Sequence, residues 1–129
     1  MATSLTRQLY RAFLVASSAG LTVALSTATA SASGQVTVQT GSPRSEAARV
    51  NYWSSTDDFR VSDTKCDGND VYAQYRRTGA STRTLRNSLG CGSHVDFDRT
   101  FTGRQNITYR ICVDDAGGDT CSPWHPDHT

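Results

Sequence analysis

The sequence predicts an all-β protein, a small antiparallel β-sandwich or barrel of about six or seven strands with two disulfides. Apolar and polar residues alternate in short segments that recur every 8–12 residues, with turn residues between them. Beyond residue 32, no segment of helical length repeats its apolar residues every 3.6 positions. All four cysteines also lie beyond residue 32, and an even number is typical of a small exported domain with disulfides.

Residues 1–32 have the layout of a secretory signal peptide. Their only charges are two arginines near the start, and residues 12–25 are mostly apolar or small. The small residues that follow allow cleavage after Ala30 or after Ala32. The alternative is an uncleaved anchor, but the apolar stretch is short and rich in Ser and Thr for a membrane span, which needs roughly 20 apolar residues. We therefore expect a secreted, extracellular protein with no membrane contact after cleavage.

The charge of the mature chain excludes one class of partner. Cleavage removes two of the 13 basic residues and leaves 11 against 12 acidic ones, a net charge of −1. A protein that binds nucleic acid needs a basic surface to neutralise phosphates, and this balance provides none. We expect no nucleic-acid partner.

The mature chain divides into three parts by composition. Residues 33–48 are small, polar and turn-prone, and they predict a flexible N-terminal arm. Residues 49–124 carry the alternating segments and predict the β-sandwich domain, and residues 125–129 are expected to form a C-terminal tail. The segments that alternate are 49–53, 59–63, 71–77, 82–88, 95–101 and 106–113.

The alternation also predicts which side chains face the core. In residues 106–113 it places Tyr109 and Ile111 on one face and Cys112 on the other. The predicted core contains few apolar side chains for a domain of 97 residues. Small exported domains of this kind usually need covalent support.

Four cysteines allow three pairings, and we favour two disulfides that join positions near strand ends. These are Cys66–Cys91 and Cys112–Cys121, which close loops of 26 and 10 residues. In the chain-entropy model they contribute about 3.5 and about 2.7 kcal/mol. Together they are comparable to the whole net stability of a small domain.

The residues that small extracellular hydrolases use are poorly placed, and we expect a protein that is not an enzyme. The only glutamate, Glu46, lies in the predicted arm. His125 and His128 lie in the last five residues, where we expect fraying, and His94 lies on a turn beside Cys91. Catalytic groups must be held rigidly, and none of these positions promises that.

Two patterns resemble metal sites without matching one, and we expect no metal and no cofactor. Cys121, His125 and His128 have a spacing similar to zinc ligands, but an oxidised cysteine is lost as a thiolate. Asp114, Asp115 and Asp119 surround two glycines and leave a calcium loop open as an alternative, although the ligand order of an EF-hand is absent. A reversing chain also prefers Asp and Gly.

Arginines and unaligned aromatic residues are the candidates for a binding surface. Four arginines flank one predicted hairpin, and they indicate either a solvated sheet edge or a contact for an acidic partner or glycan. Three aromatic residues fall out of register with their apolar neighbours, and exposed aromatics on a rigid sheet favour binding. Trp124, beyond the last cysteine, is either a lid on the core or an exposed anchor. The arginines are Arg76, Arg77, Arg83 and Arg86, and the residues chosen as partner-binding candidates are Trp53, Tyr72, Arg76, Arg77 and Trp124.

Residues 49–124 resemble a family of small exported four-cysteine β-sandwich proteins of streptomycetes and other actinomycetes. The segments that carry the resemblance are "DFRVSDTKCDGNDVYAQYRR", "LRNSLGCGS" and "ITYRICVDDAGGDTCSPW". Some members of that family are similar to the adaptor subunit of umbrella-shaped antibacterial toxin particles, which links a scaffold protein to a lectin-like subunit. The resemblance implies no catalytic residue. The polar arm at residues 33–48 would suit an adaptor, because an extended peptide can add as a strand to a partner.

The expected function is therefore a secreted, non-enzymatic module that binds an extracellular protein, with the adaptor of a toxin particle as its specific form. The alternative is a stand-alone secreted inhibitor or carbohydrate-binding domain. A small hydrolase is a third hypothesis, which lacks a held acid and base.

Overall fold

A computed structural model describes residues 32–129, so the predicted signal peptide lies almost wholly outside the described residues. The described chain is all-β, and no helix in it could cross a membrane. It contains nine strands: β1 (Gly34–Thr40), β2 (Ser45–Trp53), β3 (Asp58–Asp63), β4 (Val71–Arg77), β5 (Arg83–Asn87), β6 (His94–Phe97), β7 (Asn106–Val113), β8 (Thr120–Cys121) and β9 (His125–His128).

The strands form two antiparallel sheets, as the sequence predicts. Sheet A has the order β1-β2-β3-β6. Sheet B has the order β5-β4-β7-β8, and β9 also pairs with β7. The predicted disulfides Cys66–Cys91 and Cys112–Cys121 are confirmed. The second joins residues that lie opposite each other on β7 and β8.

The core lies between the sheets and is built from the inward positions of the alternating strands. Tyr52 of β2, Phe59 of β3 and Tyr109 of β7 are fully buried, and their rings form one cluster. Ring centroids are 4.6 Å apart for Tyr52 and Phe59, and 5.4 Å apart for Tyr52 and Tyr109. The predicted inward positions Tyr109 and Ile111 are therefore confirmed, because alternation with period two places every second side chain in the core. The contact between Tyr52 and Tyr109 joins the two sheets.

The flexible arm predicted for residues 33–48 is wrong. Gly34–Thr40 form β1, and β2 begins at Ser45, so most of this segment pairs along the edge of sheet A. Val38 is buried within the core cluster. The segment is polar because β1 has an outward face of Gln35, Thr37 and Gln39, whereas its inward valines are few.

The tail predicted for residues 125–129 is also wrong. His125–His128 form β9, which pairs with the first half of β7. The ring of His125 packs against that of Tyr109, with 5.3 Å between the ring centroids. The Thr129 amide donates to the backbone oxygen of Gln105, and the Gln105 amide donates to the Thr129 hydroxyl. This segment lacks apolar alternation, and its order comes from pairing with a strand that is already formed.

Candidate functional site

The outward face of sheet B carries a cluster in which one tryptophan lies against two arginines. The pairing of β4 with β7 places Arg76 and Arg110 on this outward face. Trp124, in the loop between β8 and β9, lies against both, with its ring centroid 4.3 Å from the Arg76 guanidinium carbon and 4.7 Å from that of Arg110. We call Arg76, Arg110 and Trp124 the Arg–Trp face.

Neighbouring polar side chains hold the two guanidinium groups in place. Arg110 donates two hydrogen bonds to Oε1 of Gln74, at 3.0 and 2.8 Å, and Arg76 donates one to the Thr108 hydroxyl at 3.2 Å. These acceptors are neutral, and among the described residues neither arginine forms a salt bridge. The face is therefore positively charged and ordered before any partner binds.

Trp124 is neither of the two alternatives that the sequence left open. It is partly buried, and it covers the outer surface of sheet B rather than the core between the sheets. A cation–π contact with arginine contributes about 0.5–1 kcal/mol at an exposed site. Two such contacts on one ring together stabilise this position of the indole by about 1–2 kcal/mol.

The other candidate arginines do not join this face. Arg77 lies on the opposite face of β4 from Arg76. Its guanidinium carbon is 4.5 Å from the centroid of the Phe101 ring, and it donates a hydrogen bond to the side chain of Gln105. Arg86 forms salt bridges with Asp114 at 2.7 Å and Asp70 at 3.5 Å. Its charge is thus compensated, and the four arginines of the hairpin are not one site.

Tyr72, predicted as part of an exposed aromatic patch, is 7% exposed. Its ring lies on the outward face of β4 as predicted, but the guanidinium carbon of Arg86 lies over it, 5.1 Å from the ring centroid. The Tyr72 hydroxyl donates a hydrogen bond to the carboxylate of Asp119. Burial, and then the hydrogen bond to Asp119, raise the pKa of Tyr72 to about 12. The prediction that this side chain is exposed is wrong, because the loop after β7 folds back over it.

The acidic loop between β7 and β8 uses its carboxylates for contacts within the protein. Asp114 accepts from Arg86, Asp115 accepts from the Thr120 hydroxyl at 2.6 Å, and Asp119 accepts from Tyr72. Asp115 also accepts from the Asn69 side-chain amide at 3.1 Å, so each carboxylate has its own donors and the three do not converge on one point. Within residues 32–129, no group of His, Cys, Asp or Glu side chains is arranged to hold a metal ion.

The histidines and the glutamate also have separate surroundings. Glu46 forms a salt bridge with Arg49 at 2.7 Å on β2. His94 is exposed at the start of β6, and His128 lies 3.5 Å from Asp127 at the opposite end of the strands. Cys121, the third member of the zinc-like pattern, is oxidised.

Trp53 lies on the outward face of sheet A, away from the Arg–Trp face. It borders a shallow depression of about 320 Å³ that is also lined by Asp58, Arg60, Asp96 and Asp98. The sequence predicts both Trp53 and Trp124 as partner-binding residues, but the fold puts them on opposite sheets.

Two features of the surface escaped the sequence analysis. Arg110 is not among the candidates that the sequence offered, although its contact with Trp124 completes the Arg–Trp face. Leu89, in the loop between β5 and β6, is 73% exposed and is the one exposed large hydrophobic residue in the described chain. A leucine between small turn residues in "NSLGCGS" was the signal that could have identified it.

Comparisons with protein-family models, with curated proteins and with solved structures found no match for this chain.

Proposed function

We propose that this protein is a secreted, non-enzymatic module that binds an extracellular protein through the Arg–Trp face. The observation that carries the proposal is the contact of Trp124 with both Arg76 and Arg110, with neutral hydrogen-bond partners for both arginines. Trp and Arg are the residue types most enriched among those that dominate binding energy at protein interfaces.

The chemistry of the face defines the partner. Two uncompensated guanidinium groups favour an acidic surface, and their planar donors suit carboxylates in particular. Because hydrogen bonds to Gln74 and Thr108 already order the side chains, association costs less side-chain entropy than it would for mobile arginines. The partner we propose is an extracellular protein with a cluster of Asp and Glu around an apolar contact for the indole.

The more specific form of the proposal is an adaptor, for which a second contact surface is required. Leu89 supplies one at the opposite end of the strands, since its loop follows Asn87, which pairs with Val71 at the start of β4. Arg76 is five residues further along β4, a separation of about 17 Å along the strand. Two partners could therefore bind at the same time.

The loop that carries Leu89 is rigid, which suits a binding anchor. The side chain of Asn87, fully buried, donates to the backbone oxygens of Val61 and Ser93 and accepts from the Leu89 amide at 3.0 Å. The Cys66–Cys91 disulfide ties the same loop to the segment after β3. Burying a leucine side chain contributes roughly 1.5–3 kcal/mol, or about a tenfold to a hundredfold change in affinity.

The predicted signal peptide and the resemblance to exported actinomycete proteins support an extracellular location. Two disulfides are consistent with an oxidising compartment. The resemblance extends the proposal to an adaptor that links the scaffold and lectin-like subunits of an extracellular antibacterial toxin particle.

Quantitative co-purification from the culture supernatant of the source organism tests the proposal. We expect the protein to elute in a complex, and we expect Arg76→Glu/Arg110→Glu to lose an acidic partner that the wild type retains. Arg44→Glu/Arg104→Glu, which makes the same charge change at two exposed arginines in the turn between β1 and β2 and in the loop before β7, is the matched control. For an adaptor, Leu89→Asp should lose a second partner and keep the first. A chain that always elutes alone at its own mass would contradict the proposed function.

A further inference from the structure

The depression beside Trp53 has the composition of a saccharide site. It has a volume of about 320 Å³ and lies on the outward face of sheet A, where β2 and β6 end and β3 begins. From this geometry we propose that it binds a neutral glycan of one or two sugar rings through Trp53, Arg60, Asp96 and Asp98. This is a second site with a different ligand class from the Arg–Trp face.

The fold holds the wall of the depression in a defined position. The turn between β2 and β3 places Asp57 in the left-handed region, with φ of 64°. From there its carboxylate accepts the Phe101 amide at 2.8 Å, and the next carboxylate, Asp58, accepts the Arg99 amide at 3.3 Å. These two bonds tie the loop after β6, which includes Asp98, to the hairpin that carries Trp53. The site is therefore formed before any ligand binds.

The polar groups of the depression provide both donors and acceptors. Arg60 donates to both oxygens of Asp96, at 2.6 and 2.9 Å, and this pair remains 40% and 51% exposed. The second lone pair of each Asp96 oxygen and the remaining guanidinium N–H groups stay available to hydroxyls. The carboxylate of Asp98 accepts no hydrogen bond and forms no ion pair within residues 32–129. Sugar hydroxyls require this mixture, because each both donates and accepts.

Trp53 supplies the apolar part of the site. Its indole borders the depression beside the polar groups, and a ligand site is typically an apolar surface with a few placed polar groups. One face of a sugar ring presents C–H groups that pack against an aromatic ring, whereas its hydroxyls point outward from its edge. The arrangement of one indole next to an exposed Arg60–Asp96 pair matches that division.

The charges of the site argue against an ionic ligand. Asp58, Asp96 and Asp98 outnumber Arg60, so an anion is repelled. A cation would have to displace the guanidinium of Arg60, which binds Asp96 in two places and lies 5.8 Å from the Trp53 ring centroid. A neutral sugar uses the groups that remain without breaking the pair.

Fluorescence of Trp53 can report binding at this site. The whole chain contains two tryptophans, so Trp124→Phe leaves Trp53 as the single reporter. The mature Trp124→Phe protein is titrated with cellotriose, triacetylchitotriose, maltotriose and xylotriose up to ~10 mM, a range suited to weak binding near ~1 mM. We expect at least one trisaccharide to shift the emission in a saturable way that salt does not change, because a neutral ligand is not screened.

Calorimetry with the trisaccharide that binds then assigns the residues. We expect Trp53→Ala to abolish the heat of binding and Asp98→Ala to weaken binding roughly tenfold, which corresponds to one lost hydrogen bond to a charged group. Asp67→Ala, an exposed aspartate in the loop between β3 and β4, should have no effect. Thermal unfolding of each variant checks that the fold is retained.

Three results would overturn the proposal. One is no saturable response to any of the trisaccharides. Another is binding that survives both Trp53→Ala and Asp98→Ala, which would place the sugar elsewhere. The last is a response to choline that salt suppresses while the sugars give none, because it would identify a cation site. The Arg–Trp face lies on the other sheet, so a failure of the proposed protein binding there would leave the result of the sugar titration unchanged.

Discussion

Gly34 is the position where adding a single methyl group should test the docking of β1 most directly. A Cβ built on Gly34 lies 1.8 Å from the hydroxyl oxygen of Tyr109, whose ring is fully buried. The same Cβ lies 3.2 Å from Cζ of Tyr109 and 3.1 Å from a carboxylate oxygen of Asp127. An ordinary contact needs about 3.4 Å or more, so Gly34→Ala must move β1 or the tyrosine by more than 1 Å.

The cost follows from which atom is in the way. Overpacking a buried site typically costs 1–3 kcal/mol, and replacing glycine within a strand recovers about 0.5–1 kcal/mol. A Cβ at 1.8 Å from the hydroxyl oxygen requires the upper end of the overpacking range, so we expect Gly34→Ala to lower the free energy of unfolding by about 2 kcal/mol. Tyr109→Phe removes the obstructing oxygen and a long hydrogen bond of 3.4 Å to Asp127, at a cost of about 0.5–1 kcal/mol.

A double-mutant cycle separates this clash from general damage. In Gly34→Ala/Tyr109→Phe the hydroxyl is gone, and the remaining contacts at 3.1–3.2 Å need shifts of only a few tenths of an ångström. The double variant should therefore be nearly as stable as Tyr109→Phe, with a favourable coupling of about 1.5 kcal/mol. The assay is equilibrium unfolding in guanidinium chloride with the disulfides oxidised, followed by tryptophan fluorescence.

Additive effects would refute this reasoning, and so would a Gly34→Ala variant as stable as the wild type. The second result would mean that residues 33–48 are detached from the domain, as the sequence alone suggested. The matched control is Gln35→Ala. Gln35 is the next residue of β1 and its side chain is exposed, so this change should alter the free energy of unfolding by less than about 0.5 kcal/mol.

Three further variants test other parts of the fold. Asn87→Asp should cost about 3 kcal/mol or more, because it turns a buried donor to Val61 into an acceptor, and a smaller loss in chemical unfolding would contradict the role of this amide. Tyr72 keeps its proton in the native state between its usual pKa near 10 and about 12, so unfolding becomes easier as pH rises through that window. Tyr72→Phe should reduce this loss of stability by up to about 1.4 kcal/mol per pH unit, and an unchanged slope would refute it. Cys112→Ala/Cys121→Ala should lower the free energy of unfolding by about 2.7 kcal/mol relative to the wild type measured at the same pH.

The inward faces of the central strands were predictable from the sequence because they depend on local alternation. Val50, Tyr52, Phe59 and Val61 stand at alternate positions of two segments, and all are fully buried. The disulfide pairs could also be chosen from the sequence, since each joins positions where short strands end. The alternation needs only information carried by neighbouring residues, whereas Cys66 and Cys91 are 25 positions apart and their pairing was favoured over two alternatives.

The two end segments were mispredicted because their order depends on distant partners. Residues 34–40 have few apolar side chains, and their strand forms by pairing with β2 and by the fit of Gly34 against Tyr109. The segment His125–His128 has no alternation at all and is held by β7. Local composition therefore resembled a flexible segment in both cases.

The candidate binding residues divide in the same way. The sequence by itself determined the all-β class and the choice of Trp53, Arg76 and Trp124 as surface candidates, because residue type and alternation are local properties. It favoured the disulfide pairs that the structure confirms. Only the tertiary structure decided that Trp124 stacks with Arg76 and Arg110 on one sheet while Trp53 borders a depression on the other. That arrangement depends on strand order and register, which bring together residues far apart in the chain.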